Sequence, residues 1–195
     1  MRKVPSMSAV VSAATDELSR ALQPGIDRDW SVTAGDVEWS CRHTAVHIAD
    51  DLFSYASQVI AQPEHGYLPI EAVLDPAASN QEILDAVSMC GRLLRLAVEA
   101  ASPHARAWHP QGTSDPDGFA AMGALETLVH GYDMASGLGL DWVPPGRLCE
   151  PVIERLFPDA PKADPAQVLL YATGRSALPG RPRQLEWSWN SAVRP

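Results

Sequence analysis

The chain has 195 residues, 46% hydrophobic and 20% charged, with 24 acidic against 15 basic side chains and a formal charge of -9. That length buries one hydrophobic core, and the composition excludes a disordered or fibrous chain. The acidic balance argues against nucleic acid as a partner, because affinity for phosphate rests on Lys and Arg releasing counterions.

The amino terminus starts like a signal peptide with Arg2 and Lys3, but Asp16 and Glu17 interrupt the apolar stretch that follows. The first periodic segment, about residues 6–23, carries Val10, Val11, Ala14, Leu18 and Leu22 on one stripe and stops at Pro24 and Gly25. After a turn-rich linker, Ser40 is placed to cap a second helix to about residue 62, with Ile48, Leu52, Ala56 and Val59 as its apolar stripe. This helix holds His43 and His47. Three prolines then break the segment 63–76, and its Tyr67, Leu68, Ile70, Val73 and Leu74 predict an extended crossover lying on the bundle.

A third helix opens at Ser79 to Glu82 and runs to about Ser102. The loop after it is rich in Pro, Gly and Asp yet holds Trp108 and His109, a combination suited to roofing a pocket; both are candidate substrate contacts. His65 and His104 are expected to be exposed loop residues. A fourth helix, about residues 119–136, carries Glu126 and His130 and ends at Gly137. Shorter helices are expected near 147–156 and 165–173, and the alternation of Trp187 and Trp189 in 184–190 suggests a terminal strand packed on the bundle. The reading is an all-α protein, a four-helix bundle over 1–140 with a short helical and strand extension over 141–195.

Glu126 and His130 stand four apart in an otherwise apolar segment, so both side chains leave one helical face a turn apart. A carboxylate among Leu125, Leu128 and Val129 is costly to bury unless a cation partners it. In a bundle the next ligand comes from a facing helix, and the second helix offers His43 and His47, also four apart. Cys41, Cys90 and Cys149 are odd in number, share no CxxC spacing, and fit small buried residues in a reducing cytoplasm better than disulfides or a thiolate site. No segment is long and apolar enough to suggest a membrane span.

Trp39 followed eight positions later by His47, together with the later run ETLVHGYDMASGLG, resembles the DinB/YfiT-like superfamily, and more closely the amino-terminal domain of mycothiol-dependent maleylpyruvate isomerases. The endings LLYATGRSALPGR and EWSWN are similar to the short carboxy-terminal part common among actinobacterial members. The resemblance implies an up-and-down four-helix bundle binding a divalent metal through His47, Glu126 and His130. It also implies a low-molecular-weight thiol, mycothiol in that setting, whose metal-bound sulfur attacks an electrophilic small molecule in a transferase or isomerase reaction. His43 departs from the pattern, since this chain reads WSCRH where the family more often has an acidic residue. It stands as a proton-exchanging group, a substrate contact or a spare ligand, beside the plain reading of a polar residue at a helix start. Asp133, three residues after His130, is placed to orient a ligand from behind or simply to face solvent.

Two His and one Glu leave an open position on a divalent ion, as catalytic sites do. Zinc is the first expectation, with nickel, cobalt and iron as alternatives. The same ligands also serve a thiol-independent hydrolase, lyase or cyclase, or a non-catalytic metal-containing binding protein.

Overall fold

The computed structural model describes residues 5–193, so Arg2 and Lys3 at the basic start lie outside the described residues. Among them, regular structure is helical: α1 (Met7–Leu22), α2 (Cys41–Ala61), α3 (Asn80–Ala100), α4 (Pro116–Gly137), α5 (Gly146–Leu156) and α6 (Pro165–Ala172), with a single 3-10 turn after α1. None of these helices is long and apolar enough to cross a membrane.

The helix starts follow from local chemistry. Ser6, Ser40 and Ser79 each accept a hydrogen bond from an orphan backbone N–H of the first turn, and Ser79 forms a full capping box with Glu82. Asp115 caps α4 and Pro116 occupies its first position. The fourth helix therefore begins a turn earlier than periodicity alone suggests. At the end of α2, Gln62 takes a left-handed conformation and Pro63 prevents continuation.

The four long helices form the bundle. α1 and α2 each pack against both α3 and α4, which brings α2 and α4 side by side. α4 is apolar on nearly every face and is accordingly buried on nearly every face, with α5 covering part of it. Leu52, Leu94, Phe119, Met122, Leu125 and Leu128 lie at the centre of one continuous core. The 62–79 crossover carries no regular structure and is pinned to α2: Asp50 accepts from the Ala72 N–H (2.6 Å) and the Arg42 guanidinium donates to the carbonyls of Ala78 (2.8 Å) and Pro76 (2.9 Å).

The expected terminal strand is absent. Residues 184–190 run as irregular chain across the bundle, and a strand needs a neighbour for its backbone groups, which this segment lacks among the described residues. Its end is tied down by the Asn190 N–H donating to the Leu156 carbonyl (3.0 Å), and of the two tryptophans only Trp189 packs against the core, while Trp187 stays exposed. Trp187 lies over Arg175, and Trp189 is half-buried beside His109.

Candidate metal centre

His47 from α2 and Glu126 and His130 from α4 converge, with one donor atom from each lying within 4.8 Å of the others. His130 Nε2 is 3.2 Å and His47 Nε2 3.8 Å from the same Glu126 oxygen, Oε2. The helix geometry explains this: Glu126 and His130 share one face of α4 a turn apart, and the adjacent helix turns His47 toward them.

Electrostatics fit a site built around positive charge. Burial alone would raise the Glu126 carboxyl, but hydrogen bonds and charge from His130 and His47 outweigh it and hold the group below the usual carboxylate range. Burial would likewise lower His130, but Asp133 and Glu126 lift it to about 9. A cation between these donors would take over the role that the imidazolium otherwise plays toward Glu126. Two imidazole nitrogens and one carboxylate are a donor set that suits zinc and leaves coordination open.

Trp39 forms one wall. The loop before α2 folds back through Ala34 N–H to Trp39 carbonyl (2.9 Å) and Cys41 N–H to Val32 carbonyl (2.8 Å). This lays the indole against His43 (centroids 5.0 Å, stacked), His47 (4.7 Å) and His130 (6.1 Å). The turn passes close to α4 at Gly35, whose φ of +53° is a conformation L side chains rarely adopt and where a Cβ would come within 3.3 Å of the Asp133 Cα.

His43 sits exposed in the first turn of α2, stacked on Trp39 and outside the three-residue cluster. The loop holding Trp108 and His109 is fastened to α2 and to the start of the crossover, by Gln58 donating to the Trp108 carbonyl (2.7 Å) and the Trp108 N–H donating to the Pro63 carbonyl (2.9 Å). Trp108 is half-buried, edge-on to Tyr67. His109 is only 4% exposed, enclosed by Tyr55, Tyr67, Phe119 and Trp189, and its Nδ1 accepts from the Gln111 N–H (3.1 Å). Burial pulls it down to about 4, so it is neutral near pH 7. The three cysteines are free and buried, and burial pushes their thiols up to about 11 for Cys41 and Cys90 and about 12 for Cys149, which makes them poor nucleophiles.

Two residues at the site escape sequence reasoning. Asp51 follows His47 by one helical turn and places Oδ2 3.3 Å from His47 Nε2. Burial and the nearby Glu126 charge raise it to about 7, with His47 acting in the opposite direction. The i,i+4 spacing that marks Glu126 and His130 marks it too. Arg175, from the turn after α6, grips Asp133 on the far side of His130. No spacing or periodicity joins residue 175 to residue 133.

The family described as mycothiol maleylpyruvate isomerase N-terminal domain matches residues 11–135. A solved structure, the crystal structure of the mycothiol-dependent maleylpyruvate isomerase, superposes with a TM-score of 0.56 at 18% identity, covering 93% of this chain and 97% of that one. At that identity the likeness speaks for the fold. No curated protein sequence gives a match.

Proposed function

The chain belongs to the mycothiol maleylpyruvate isomerase N-terminal domain family, and on that premise we propose that it is a metal-dependent, thiol-using isomerase or transferase acting on an electrophilic small molecule. The observation that carries the proposal is the convergence of His47, Glu126 and His130 from two adjacent helices. These three residues would hold a divalent ion, zinc in the first instance, in the bundle formed by α1 to α4, with the described chain from 141 onward as an extension packed on it. Bound there, such an ion would lower the pKa of a coordinated thiol and so supply a thiolate near neutral pH.

The protein's own residues prepare that chemistry. Asp133 Oδ2 lies 3.0 Å from His130 Nδ1 and, in the tautomer with its hydrogen on Nδ1, accepts that hydrogen bond, which leaves the Nε2 lone pair facing Glu126 and free to bind a cation. Trp39 covers the imidazole pair from one side, and exposed His43, stacked on the same indole, offers a polar ring to a substrate beside the site. The cysteines have no part in this scheme, since the nucleophilic sulfur arrives with the co-substrate. For an isomerase acting on an electron-poor double bond, thiolate addition would leave a single bond free to rotate. Elimination of the same thiolate would then restore the double bond, so the thiol is regenerated.

The test is turnover of maleylpyruvate and a panel of related electrophiles with mycothiol, for protein loaded with zinc and protein stripped by a chelator. Thiol-dependent product formation that disappears on stripping is expected. A zinc-loaded protein that neither binds mycothiol by calorimetry nor forms a thiol-dependent product would overturn the proposal.

A further inference from the structure

Beyond the residues that match the family, the chain returns to the metal-ligand helix. After α6 the backbone turns through Gly174, whose φ of +70° avoids a side chain where the Trp187 ring lies within 3.0 Å of the would-be Cβ. That turn aims Arg175 at the buried face of Asp133. Arg175 Nη2 donates to Asp133 Oδ2 (2.8 Å) and Nε to Oδ1 (3.2 Å), a two-point grip, while Nη1 is occupied by the Thr173 carbonyl (2.8 Å). Trp187 stacks over the guanidinium at 5.4 Å. Both side chains are withdrawn from solvent, 11% and 3% exposed, at the inner end of a cavity of about 490 Å³ that Asp36, Tyr132 and Arg183 also line.

The same Asp133 oxygen held by Nη2 is the one within 3.0 Å of His130 Nδ1. A carboxylate with only one imidazole partner can rotate about its side-chain torsions; one clamped at both oxygens by a planar fork cannot. We infer that Arg175 is a positioning residue for the metal centre: by fixing Asp133 it holds His130 in the tautomer that carries its hydrogen on Nδ1 and presents Nε2 beside Glu126. The carboxy-terminal segment thereby completes a site whose ligands all lie in the bundle. The inference rests on the reading of His47, Glu126 and His130 as metal ligands.

The experiment compares zinc affinity, by competition with a chromophoric chelator, in the wild type and in Arg175→Met, Arg175→Lys and Arg183→Met. In parallel, the His130 Nδ1–H of the zinc-loaded proteins is followed by 15N-correlated NMR. Partners that orient metal ligands typically contribute about 10- to 100-fold in affinity. Arg175→Met should therefore bind zinc at least about 10-fold more weakly and exchange the Nδ1–H with water faster. Arg175→Lys, which keeps the charge but loses the fork, should fall between it and the wild type. Arg183→Met loses contacts of the same tail to Asp36 and the Gly174 carbonyl, and should bind zinc as the wild type does. Wild-type affinity and an unchanged Nδ1–H in folded Arg175→Met would overturn the inference, as would an equal loss in Arg183→Met, which would mean that the tail acts only by staying folded. If Arg175→Met fails to fold, Arg175→Lys decides by the same two readouts, and wild-type values there overturn the inference. A wild type that takes up no zinc removes the functional reading and this inference together; a wild type that binds with an Arg175 variant that binds equally removes only the inference.

Discussion

Gly137→Ala tests how tightly the Trp39 loop packs against the end of α4. Gly137 is the last residue of α4, and a Cβ built there would sit 2.2 Å from the Thr33 carbonyl oxygen, 3.0 Å from the Ala34 Cα and 3.1 Å from the Cys41 sulfur. An ordinary carbon–oxygen approach is roughly 3.3 Å, so the Thr33 carbonyl would have to retreat by about 1 Å. Backbone on both sides leaves no flexible side-chain end to give way. Two terms oppose each other: replacing a helical Gly by Ala gains up to about 1 kcal/mol, and forcing a methyl into a packed junction costs about 1–3 kcal/mol. The retreat also strains the paired backbone bonds of the loop, Ala34 to Trp39 and Cys41 to Val32, so the cost should lie at the upper end. We expect a net loss of about 1–2 kcal/mol, which for a chain of this size lowers the Tm by roughly 2–8 °C. Thermal unfolding followed by far-UV circular dichroism measures it. A Tm equal to or above that of the wild type would refute the reasoning, because helix propensity alone predicts a rise.

Three further expectations concern the site. His130→Ala should abolish the near-stoichiometric zinc that elemental analysis of untagged wild-type protein should find, and unchanged occupancy would reject the ligand set. His43→Ala should keep its zinc whether or not activity falls, since His43 stands in the first turn of α2 outside the cluster; loss of metal in that variant would mean the α2 ligand is misassigned. His109, held near 4 by burial against an ordinary 6.5, is neutral in the folded state while the unfolded chain takes up a proton as pH falls from 6.5 to 4. Its contribution is therefore complete above pH 6.5 and declines by about 3 kcal/mol at most across that window, with no further change below it. Urea midpoints at pH 7 and pH 4.5 should fall further in the wild type than in His109→Gln, and equal falls would contradict the burial argument.

The first three helices are legible in the sequence because each announces itself twice, by an apolar stripe at three-and-four spacing and by a capping serine at its start. Ser40 and Ser79 illustrate this: the same hydroxyls that mark the predicted starts accept the first-turn N–H groups. Asp115 and Pro116 are equally good start signals, and the turn they add to α4 is missed only when periodicity is weighed above capping. The tail misleads for the opposite reason. Alternation cannot supply the neighbouring strand that a ladder needs, nor does it bury both rings: Trp189 packs on the core and Trp187 lies exposed over Arg175, each from irregular chain.

At the site, what a sequence shows depends on whether the geometry is local. Glu126 with His130, and His47 with Asp51, are pairs made by a single helix, so their spacing alone places them a turn apart. That α2 lies beside α4 is a property of the bundle, and residue patterns reach it only through resemblance to a family. Arg175 is one step further removed: its partner is 42 residues away, its approach depends on a left-handed Gly174, and its flank depends on an irregular Trp187. The pairs within one helix are thus inscribed in helical period, whereas the approach of His47 to Glu126 and His130 is set by the packing of α2 on α4. The contacts of Arg175 with Asp133 depend on loops, whose conformations are fixed by what they pack against. The family match ends at residue 135, before Gly174 and Arg175, so that match does not reach the residues that orient His130 through Asp133.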